Sequence, residues 1–263
     1  MKKYIVIGNP VEHSLSPKLH NHWLKENNID GVYEIKKINH TEIKNVITDV
    51  RNNKITGINV TVPFKKEVIS YLDKLSKEAL TTQSVNTIYL ENDKVIGHNT
   101  DIFGFEHSLK DTNFDLKNKK IFILGAGGVV PSIIYSLKNL GALNVSLSNR
   151  TESKANDLKK LFENINIVKW GVLPDFDMII NATSIGLNKG DKIDLDFGNI
   201  KKNCFFYDVI YNPKETDFLK TGKKTGAHIL NGKTMFIYQA FEAFKLWHKT
   251  SPKINEEVMK LLD

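Results

Sequence analysis

A buried strand and a glycine turn are encoded by Ile121-Phe122-Ile123-Leu124-Gly125-Ala126-Gly127-Gly128. Apolar helical spacing then continues to Leu140, and Gly141 follows, which predicts a helix directly after the turn. Glycines at such a junction let the backbone approach a pyrophosphate, and the positive N-terminus of the helix attracts it. The stretch therefore predicts a dinucleotide site, although Val130 stands where the G-x-G-x-x-G pattern has its third glycine.

The end of the next predicted strand, Val145 to Ser148, indicates which dinucleotide is bound. An NAD site has Asp or Glu there, roughly 20 residues after the glycines, to bind the ribose 2′-hydroxyl. This sequence has Asn149-Arg150-Thr151, and Lys154 adds a positive charge nearby. A guanidinium beside an amide and a hydroxyl suits a 2′-phosphate, so the sequence predicts NADP rather than NAD.

Strand-like segments alternate with helical ones through the second half of the chain. The predicted strands are 121–124, 145–148, 178–181, 205–210 and 228–230. This alternation predicts a parallel, doubly wound sheet. The loop Asn181-Ala182-Thr183-Ser184-Ile185-Gly186 follows the third strand, so we expect it at the carboxyl edge of the sheet, near the nicotinamide half of a dinucleotide.

The first half of the chain predicts strand, helix, strand, helix and strand. These segments are 4–7, 17–24 with Ser16 as N-cap, 33–38, 41–52 and 58–65. An antiparallel hairpin is predicted where Val85 to Leu90 and Val95 to His98 flank a polar turn. A helix over 101–110 and a polar linker over 111–120 follow.

Alternation along 58–65 separates two faces of the last predicted strand. The even positions from Ile58 to Phe64 are apolar, whereas Asn59, Thr61 and Lys65 lie on the other face. Pro63 cannot donate to a ladder, so the strand is expected to end there with Lys65 at its mouth. This polar face is suited to hold a polar ligand at the edge where α/β proteins keep their sites.

Lys65 and Asp101 are the candidates for proton transfer, because an ammonium and a carboxylate at one site can do general acid–base work. The plain alternative for Lys65 is a surface lysine. For Ser14, Ser16, Asn86 and Asp101, taken singly, capping or turn duty is the more usual role.

The patterns together predict an α/β fold of two domains. Residues 1–100 and 235–263 form a mostly parallel α/β substrate-binding and catalytic domain, and residues 101–234 form a Rossmann-like doubly wound NADP domain. The helical pattern from Met235 to His248 carries a broad apolar face, which predicts that the C-terminal helices return to the first domain.

Composition narrows the class of protein. A chain of 263 residues with 41% hydrophobic content can bury a real core. Its 37 Lys+Arg and 30 Asp+Glu give a net charge of +7, but the lysines are spread along the chain, so we expect anionic small molecules and no nucleic acid. Cys204 stands alone, and no apolar run is long enough for a membrane span, so we expect a cytoplasmic protein. The eight histidines show no zinc pattern, and no metal is predicted.

Several motifs together resemble the shikimate dehydrogenase family, nearly from end to end of the chain. The matching stretches are Gly8-Asn9-Pro10, His13-Ser14-Leu15-Ser16-Pro17, Asn59-Val60-Thr61-Val62-Pro63-Phe64-Lys65, Val85-Asn86-Thr87, Asn99-Thr100-Asp101, Gly125-Ala126-Gly127-Gly128, Asn149-Arg150-Thr151, Asn181-Ala182-Thr183, Gly232, Met235 and Gln239-Ala240.

The resemblance implies reversible, NADPH-dependent reduction of 3-dehydroshikimate to shikimate by a monomer or homodimer. It makes Lys65 the catalytic acid–base and Asp101 its partner. Substrate hydroxyls and carboxylate would be held by Ser14, Ser16, Asn59, Thr61, Lys65, Asn86, Asp101, Tyr211 and Gln239. The cofactor would be held by Gly125, Ala126, Gly127, Gly128, Val129, Asn149, Arg150, Thr151, Lys154, Thr183, Val209 and Gly232.

The sequence departs from the family pattern at three places. Ile102 stands where the family usually has Gly after the aspartate, Gln83 replaces a small residue, and Val129-Val130-Pro131 follows the glycine turn in place of small residues and a basic one. No proposed catalytic residue type is lost.

Two further motifs in the sequence resemble those of other enzyme classes. Residues 227–234 match a relaxed P-loop, but their interior is strand-like and no buried strand precedes them, which argues against an NTPase. Tyr33 and Lys37 have the Tyr-x-x-x-Lys spacing of short-chain dehydrogenases, yet they lie on a predicted strand far upstream of the glycine turn. A broad quinate/shikimate dehydrogenase and a nucleotide-binding module without activity stay open.

Overall fold

The chain divides into two compact units in the computed structural model, which describes residues 1–110, 112–198, 200–201 and 203–263. Unit 1 comprises Met1–Gly104 and Ile237–Asp263, and unit 2 comprises Phe105–Phe236. The assignment of residues 1–100 with 235–263 to a substrate domain and of residues 101–234 to an NADP domain stays a prediction.

The N-terminal part of unit 1 alternates strands with helices. Its elements are β1 (Lys2–Gly8), α1 (Ser16–Glu26), β2 (Gly31–Lys37), α2 (Ile43–Arg51), β3 (Gly57–Val60), β4 (Lys74–Leu75), α3 (Lys77–Thr82), β5 (Thr87–Glu91) and β6 (Lys94–His98), with short 3-10 turns at His40–Glu42 and Glu67–Tyr71. Helix α4 (Asp101–Lys110) begins in unit 1, and its residues from Phe105 onward belong to unit 2. The sheet has the order β2-β1-β3-β5-β6-β4. Strands β1, β2 and β3 are parallel, and β5 is antiparallel to both β3 and β6, as expected for a hairpin.

Two local predictions in unit 1 are wrong. The strand that was expected to end at Pro63 ends at Val60, because the chain leaves the sheet after the Thr61 amide donates to the Ile7 carbonyl, and Val62 is 54% exposed. Helix α1 begins at Ser16, so Ser16 is not its N-cap; the Ser14 hydroxyl instead accepts a hydrogen bond from the Ser16 amide at 3.3 Å.

Unit 2 has a fully parallel six-stranded sheet. Its elements are β7 (Lys120–Leu124), α5 (Val130–Asn139), β8 (Asn144–Ser148), α6 (Glu152–Leu161), β9 (Ile165–Ile167), β10 (Met178–Asn181), β11 (Phe205–Asp208), α7 (Asp217–Lys224) and β12 (His228–Leu230). The order β12-β11-β10-β7-β8-β9 is that of a dinucleotide-binding fold, with strand order reversing between β7 and β10. The predicted doubly wound sheet is confirmed.

The C-terminal helices are α8 (Lys233–His248) and α9 (Glu256–Leu261). From Ile237 onward α8 packs into unit 1, where Ala240, Ala243 and Phe244 are fully buried. Trp247 donates from Nε1 to the Ile88 carbonyl at 3.3 Å, and its ring occupies the space above Gly57, where any Cβ would lie 2.5 Å from Nε1. The predicted return of the C-terminal helices to the first domain is confirmed.

No helix in the described part of the chain is long and apolar enough to cross a membrane.

Candidate active site

Lys65 and Asp101 form a buried ion pair in unit 1. Lys65 follows β3 and Asp101 opens α4, and the Lys65 Nζ donates to the Asp101 Oδ2 at 2.6 Å. The two side chains are only 11% and 7% exposed. Shielding from water strengthens such a pair and gives the ammonium a defined orientation. The pair can therefore hold a proton at a fixed point.

Asn86 orients the carboxylate of this pair. Its Oδ1 accepts from the Thr100 backbone amide at 2.7 Å, and that amide is a donor only, so the two ends of the Asn86 amide cannot be interchanged. The Nδ2 then donates to Asp101 Oδ1 at 2.9 Å and to Thr100 Oγ1 at 2.9 Å. Asp101 thus receives Lys65 on one oxygen and Asn86 on the other.

A hydrogen-bonded chain continues from Asn86 to Asn59 and Tyr33. Asn59 Nδ2 donates to the Asn86 carbonyl at 3.1 Å and to Thr87 Oγ1 at 3.2 Å. The Tyr33 hydroxyl donates to Asn59 Oδ1 at 2.7 Å. Thr87 Oγ1 in turn donates to Asn86 Oδ1 at 3.0 Å. Four of these groups, on β2, β3 and β5 or next to them, are fixed before any ligand arrives.

The remaining predicted substrate residues of unit 1 lie around this network at different distances. Gln239 of α8 accepts from Asn86 Nδ2 at 3.5 Å. Ser16 is buried, and its backbone amide donates to the Ser14 hydroxyl at 3.3 Å. Thr61 packs its methyl group over Gly8, where a Cβ would lie 2.5 Å away. Among the described residues, no hydrogen bond joins the Thr61 side chain to the ion pair. Tyr211 belongs to unit 2, where its ring centroid lies 4.6 Å from that of Phe236.

The glycine turn of unit 2 leaves no room for side chains at its first position. Gly125 has φ +109°, and a Cβ there would lie 2.7 Å from the Ala182 carbonyl oxygen. The turn continues through Ala126, Gly127 and Gly128 to Val129, which precedes α5 without a side-chain cap. Uncapped amides at a helix N-terminus are suited to an anion.

The predicted 2′-phosphate residues follow the neighbouring strand β8. The Gly125 amide donates to the Ser148 carbonyl at 2.8 Å, which fastens the glycine turn to the end of β8. Asn149 is held by its Nδ2 donating to the Thr151 carbonyl at 2.8 Å. Arg150 and Lys154 are exposed, and neither forms an ion pair with a carboxylate of the described residues.

Thr183, Val209 and Gly232 meet the carboxyl ends of β10, β11 and β12. The Thr183 amide and hydroxyl both donate to Asn181 Oδ1, at 3.1 and 2.7 Å. Gly232 is buried against Val209, whose carbonyl oxygen would lie 2.0 Å from a Cβ at that position. These three residues are therefore placed along the edge at which an open α/β sheet binds its ligand.

Asp208 is a buried site residue that the sequence analysis missed. Its carboxylate is inaccessible to solvent and accepts from Asn181 Nδ2 at 3.1 Å, the Ile210 amide at 3.0 Å and Thr216 Oγ1 at 2.5 Å. Burial outweighs these hydrogen bonds and raises the pKa of Asp208 to about 6. Asp208 thus connects the loops after β10 and β11. In the sequence, the acidic side chain at the end of the apolar run Phe205-Phe206-Tyr207 is the pattern that could have indicated a buried polar residue here.

The spacing of Tyr33 to Lys37 does not predict a functional role for Tyr33, since both residues lie on a predicted strand far upstream of the glycine turn. In the structure its hydroxyl donates to Asn59 Oδ1 at 2.7 Å, and Asn59 is a predicted substrate residue. Alternation of polar and apolar residues along β2 could not single out this tyrosine, since its partners come from α1 and β3.

The three departures from the family pattern fit their surroundings. Ile102 is 6% exposed in the first turn of α4. Val130 and Pro131 are buried in the first turn of α5, where the missing amide hydrogen of proline costs no helical bond. Gln83 ends α3 with φ +49°, a conformation that a residue with a side chain rarely adopts.

One group of side chains among the described residues brings possible metal ligands close together. His22, Glu26 and Glu257 bring ligand atoms within 4.8 Å of one another at the surface of unit 1. The Glu26 and Glu257 oxygens approach opposite ring nitrogens of His22, at 3.3 and 4.0 Å. The absence of a metal stays a prediction.

Comparison with known proteins covers both units. Residues 6–88 match the family described as shikimate dehydrogenase substrate binding domain, and residues 108–208 match that described as shikimate / quinate 5-dehydrogenase. The shikimate dehydrogenase (NADP(+)) of Pelagibacter ubique is 56% identical over 262 residues, which span 100% of this chain and 99% of that protein.

Solved structures agree over the same length. The shikimate dehydrogenase of Aquifex aeolicus superposes with a TM-score of 0.89 at 38% identity, covering 100% of this chain and 97% of that one. The Thermus thermophilus shikimate 5-dehydrogenase in complex with NADP(H) and shikimate gives a TM-score of 0.90 at 29% identity, with 100% and 98% covered. The chain belongs to the shikimate dehydrogenase family.

Proposed function

We propose that this protein catalyses the reversible, NADPH-dependent reduction of 3-dehydroshikimate to shikimate. The observation that carries the proposal is the buried Lys65–Asp101 pair, 2.6 Å apart, whose lysine lies within the segment that matches the family's substrate-binding domain. Unit 1 is then the substrate-binding and catalytic domain, and unit 2 is the NADP domain.

Lys65 is the proton donor in this mechanism. Reduction of a carbonyl leaves negative charge on its oxygen, and a protonated Nζ both neutralises that charge and donates the proton. In the reverse direction the same nitrogen accepts the proton of the substrate hydroxyl. Because Lys65 is almost fully buried, water competes little for its charge.

Asp101 and Asn86 keep Lys65 in position. Asp101 accepts from Lys65 on Oδ2, and Asn86 holds Oδ1, so the carboxylate cannot turn away from the ammonium. A carboxylate held on both oxygens gives the Lys65 Nζ an acceptor of fixed position. Asp101 is thus assigned as the partner of the acid–base group.

Polar residues of unit 1 are proposed to bind the hydroxyls and carboxylate of the substrate: Ser14, Ser16, Asn59, Thr61, Asn86 and Gln239. The resemblance to the family adds Tyr211 of unit 2 to this set. Support comes from the hydrogen bonds that join Asn59, Asn86 and Gln239 to one network with Asp101.

The residues of unit 2 fit a phosphorylated dinucleotide. A Cβ at Gly125 would fill the turn, and the uncapped start of α5 favours a pyrophosphate. The 2′-phosphate is proposed to be bound by the exposed Arg150 and Lys154 together with Asn149 and Thr151. The nicotinamide end is proposed to lie against Thr183, Val209 and Gly232. When bound, NADPH supplies the hydride.

Quinate is a second candidate substrate, favoured by the match of residues 108–208 to a shikimate / quinate family. Initial rates with shikimate and with quinate, each with NADP and with NAD, test both. We expect the highest kcat/KM with shikimate and NADP. If shikimate reduces neither nucleotide although NADP binds, the protein is a nucleotide-binding module and the proposal is wrong.

We further propose a monomer or homodimer working in a reducing cytoplasm. The single cysteine, Cys204, is buried and forms no disulfide, which suits that compartment. Light scattering of the purified protein gives the oligomeric state, and a mass above that of a dimer would contradict it.

A further inference from the structure

The side-chain amide of Asn59 can face in only one direction. Its Nδ2 approaches the backbone carbonyl of Asn86, which is an acceptor only, so the nitrogen and oxygen cannot be exchanged. Its Oδ1 therefore faces Tyr33, and the phenol must donate the hydrogen bond of 2.7 Å. The amide is fixed at both ends.

This orientation decides what Asn59 can offer a ligand. Both hydrogens of Nδ2 are engaged, one with the Asn86 carbonyl and one with Thr87 Oγ1. The Oδ1 uses one lone pair for Tyr33 and keeps the second. Asn59, which is 7% exposed, can thus accept a hydrogen bond from a ligand but cannot donate one.

Tyr33 is itself held rigidly. It is 2% exposed, and its ring stacks on His20 with centroids 4.4 Å apart and planes 1° apart. The backbone amide of Tyr33 donates to Asn21 Oδ1 at 2.9 Å, and Asn21 Nδ2 donates back to the Tyr33 carbonyl at 2.8 Å. A stacked, buried phenol has little freedom to follow a moving partner, so it fixes Asn59 rather than adapting to it.

We infer that Tyr33 is a positioning residue that makes Asn59 a one-sided acceptor, so that Asn59 selects a hydroxyl group of the substrate and not its carboxylate. This inference rests on the proposed function, and it assigns a role to a residue that does not touch the reacting atoms. A carboxylate has no hydrogen to donate, whereas a ring hydroxyl has one.

The test combines Tyr33→Phe with altered substrates. Phenylalanine keeps the stack on His20 and removes only the hydroxyl, so we expect KM for shikimate to rise about 3- to 10-fold, the loss of one positioned hydrogen bond. We expect kcat and the KM for NADP to stay within about twofold. Tyr89→Phe is the matched control, because Tyr89 is a mostly buried tyrosine of β5 in the same unit outside the proposed site.

The substrate arms identify the group that Asn59 selects. Wild type and Tyr33→Phe are compared on shikimate, on analogues lacking the 4- or 5-hydroxyl, and on the carboxamide. The penalty of Tyr33→Phe should vanish with one deoxy analogue and persist with the carboxamide. An equal penalty on every substrate, or one that vanishes with the carboxamide, overturns the inference. A fall in melting temperature without any change in KM also overturns it, by making Tyr33 purely structural. Lack of turnover by the wild type instead contradicts the proposed function.

Discussion

Lys65 Nζ and Asp101 Oδ2 lie 2.6 Å apart, although 36 residues separate them in the chain. One follows the central strand β3, and the other opens the helix α4 after the hairpin. Neither position is exposed, so this lysine differs from the many surface lysines of the chain. Proton transfer by Lys65, binding of the cofactor and stability of the fold can each be tested by a different substitution.

Lys65→Ala should lower kcat by roughly 10²- to 10⁴-fold, because the proton donor is lost while the NADP site is untouched. Steady-state kinetics and an NADPH titration measure the two effects. Lys66→Ala is the control, since Lys66 is the neighbouring exposed lysine. A near-normal kcat for Lys65→Ala would return Lys65 to the role of a structural ion-pair partner.

Gly125→Ala should weaken NADPH binding at least about tenfold, since the new Cβ meets the Ala182 carbonyl and pushes the turn away from the pyrophosphate. Gly171→Ala is the matched control. Gly171 also has a positive φ, +89°, but a Cβ there has nothing within 4 Å, so the substitution carries only the backbone strain of about 1 kcal/mol. Equal NADPH dissociation constants for the two variants would mean that the turn is not a phosphate cradle.

Arg150→Ala should weaken NADP binding at least about tenfold and NAD binding by less than about threefold, because only NADP carries the 2′-phosphate. Dissociation constants for both nucleotides, measured by fluorescence, give the ratio. Lys159→Ala removes an exposed charge from the same helix region and should change neither. Equal weakening of both nucleotides would assign Arg150 to general electrostatic attraction.

His20→Phe should make the protein more resistant to acid. Burial, and secondarily the nearby His248, lower the pKa of His20 to about 3, while the unfolded chain titrates near the ordinary value of about 6.5. The unfolded state therefore binds a proton that the native state refuses, and stability falls as pH drops from about 6.5 toward 3, by roughly 4 kcal/mol in total.

Urea unfolding of wild type and His20→Phe between pH 7 and 4 measures this difference. The stability advantage of the variant should grow as pH falls, and titrating groups remote from His20 cancel in the comparison. His13→Phe, at an exposed histidine, should show no such trend. A constant difference across the pH range would mean that His20 does not contribute to acid sensitivity.

Local patterns predicted the elements whose signals lie within a few residues. The strand, glycine turn and helix around Gly125 follow from apolar runs and from glycine chemistry, and the sheet of unit 2 follows from their alternation. The elements missed were those with weak patterns. Strand β4 has two residues, and α6 buries only Ala155 and Leu158 on an otherwise polar surface.

The site was less predictable because its contacts are distant in sequence. Alternation correctly put Asn59 on a polar face, but it carried the strand past Val60, where the chain already turns out of the sheet. No periodicity could bring Tyr33 to Asn59 or Asp208 to Asn181, since these pairs form only when separate strands align. Residue type made Lys65 and Asp101 the candidates for proton transfer, but spacing alone did not show that their side chains meet.

The packing of Trp247 over Gly57 affects how the protein folds during its synthesis on the ribosome. Unit 2 is one uninterrupted segment, Phe105–Phe236, whereas unit 1 needs Ile237–Asp263 to complete its core. Synthesis proceeds from the N-terminus, and domains fold as units. The first hundred residues therefore stay incompletely packed until Ile237–Asp263 has been synthesised. Unit 2 is translated after these residues, but it is the first unit that can complete its folding.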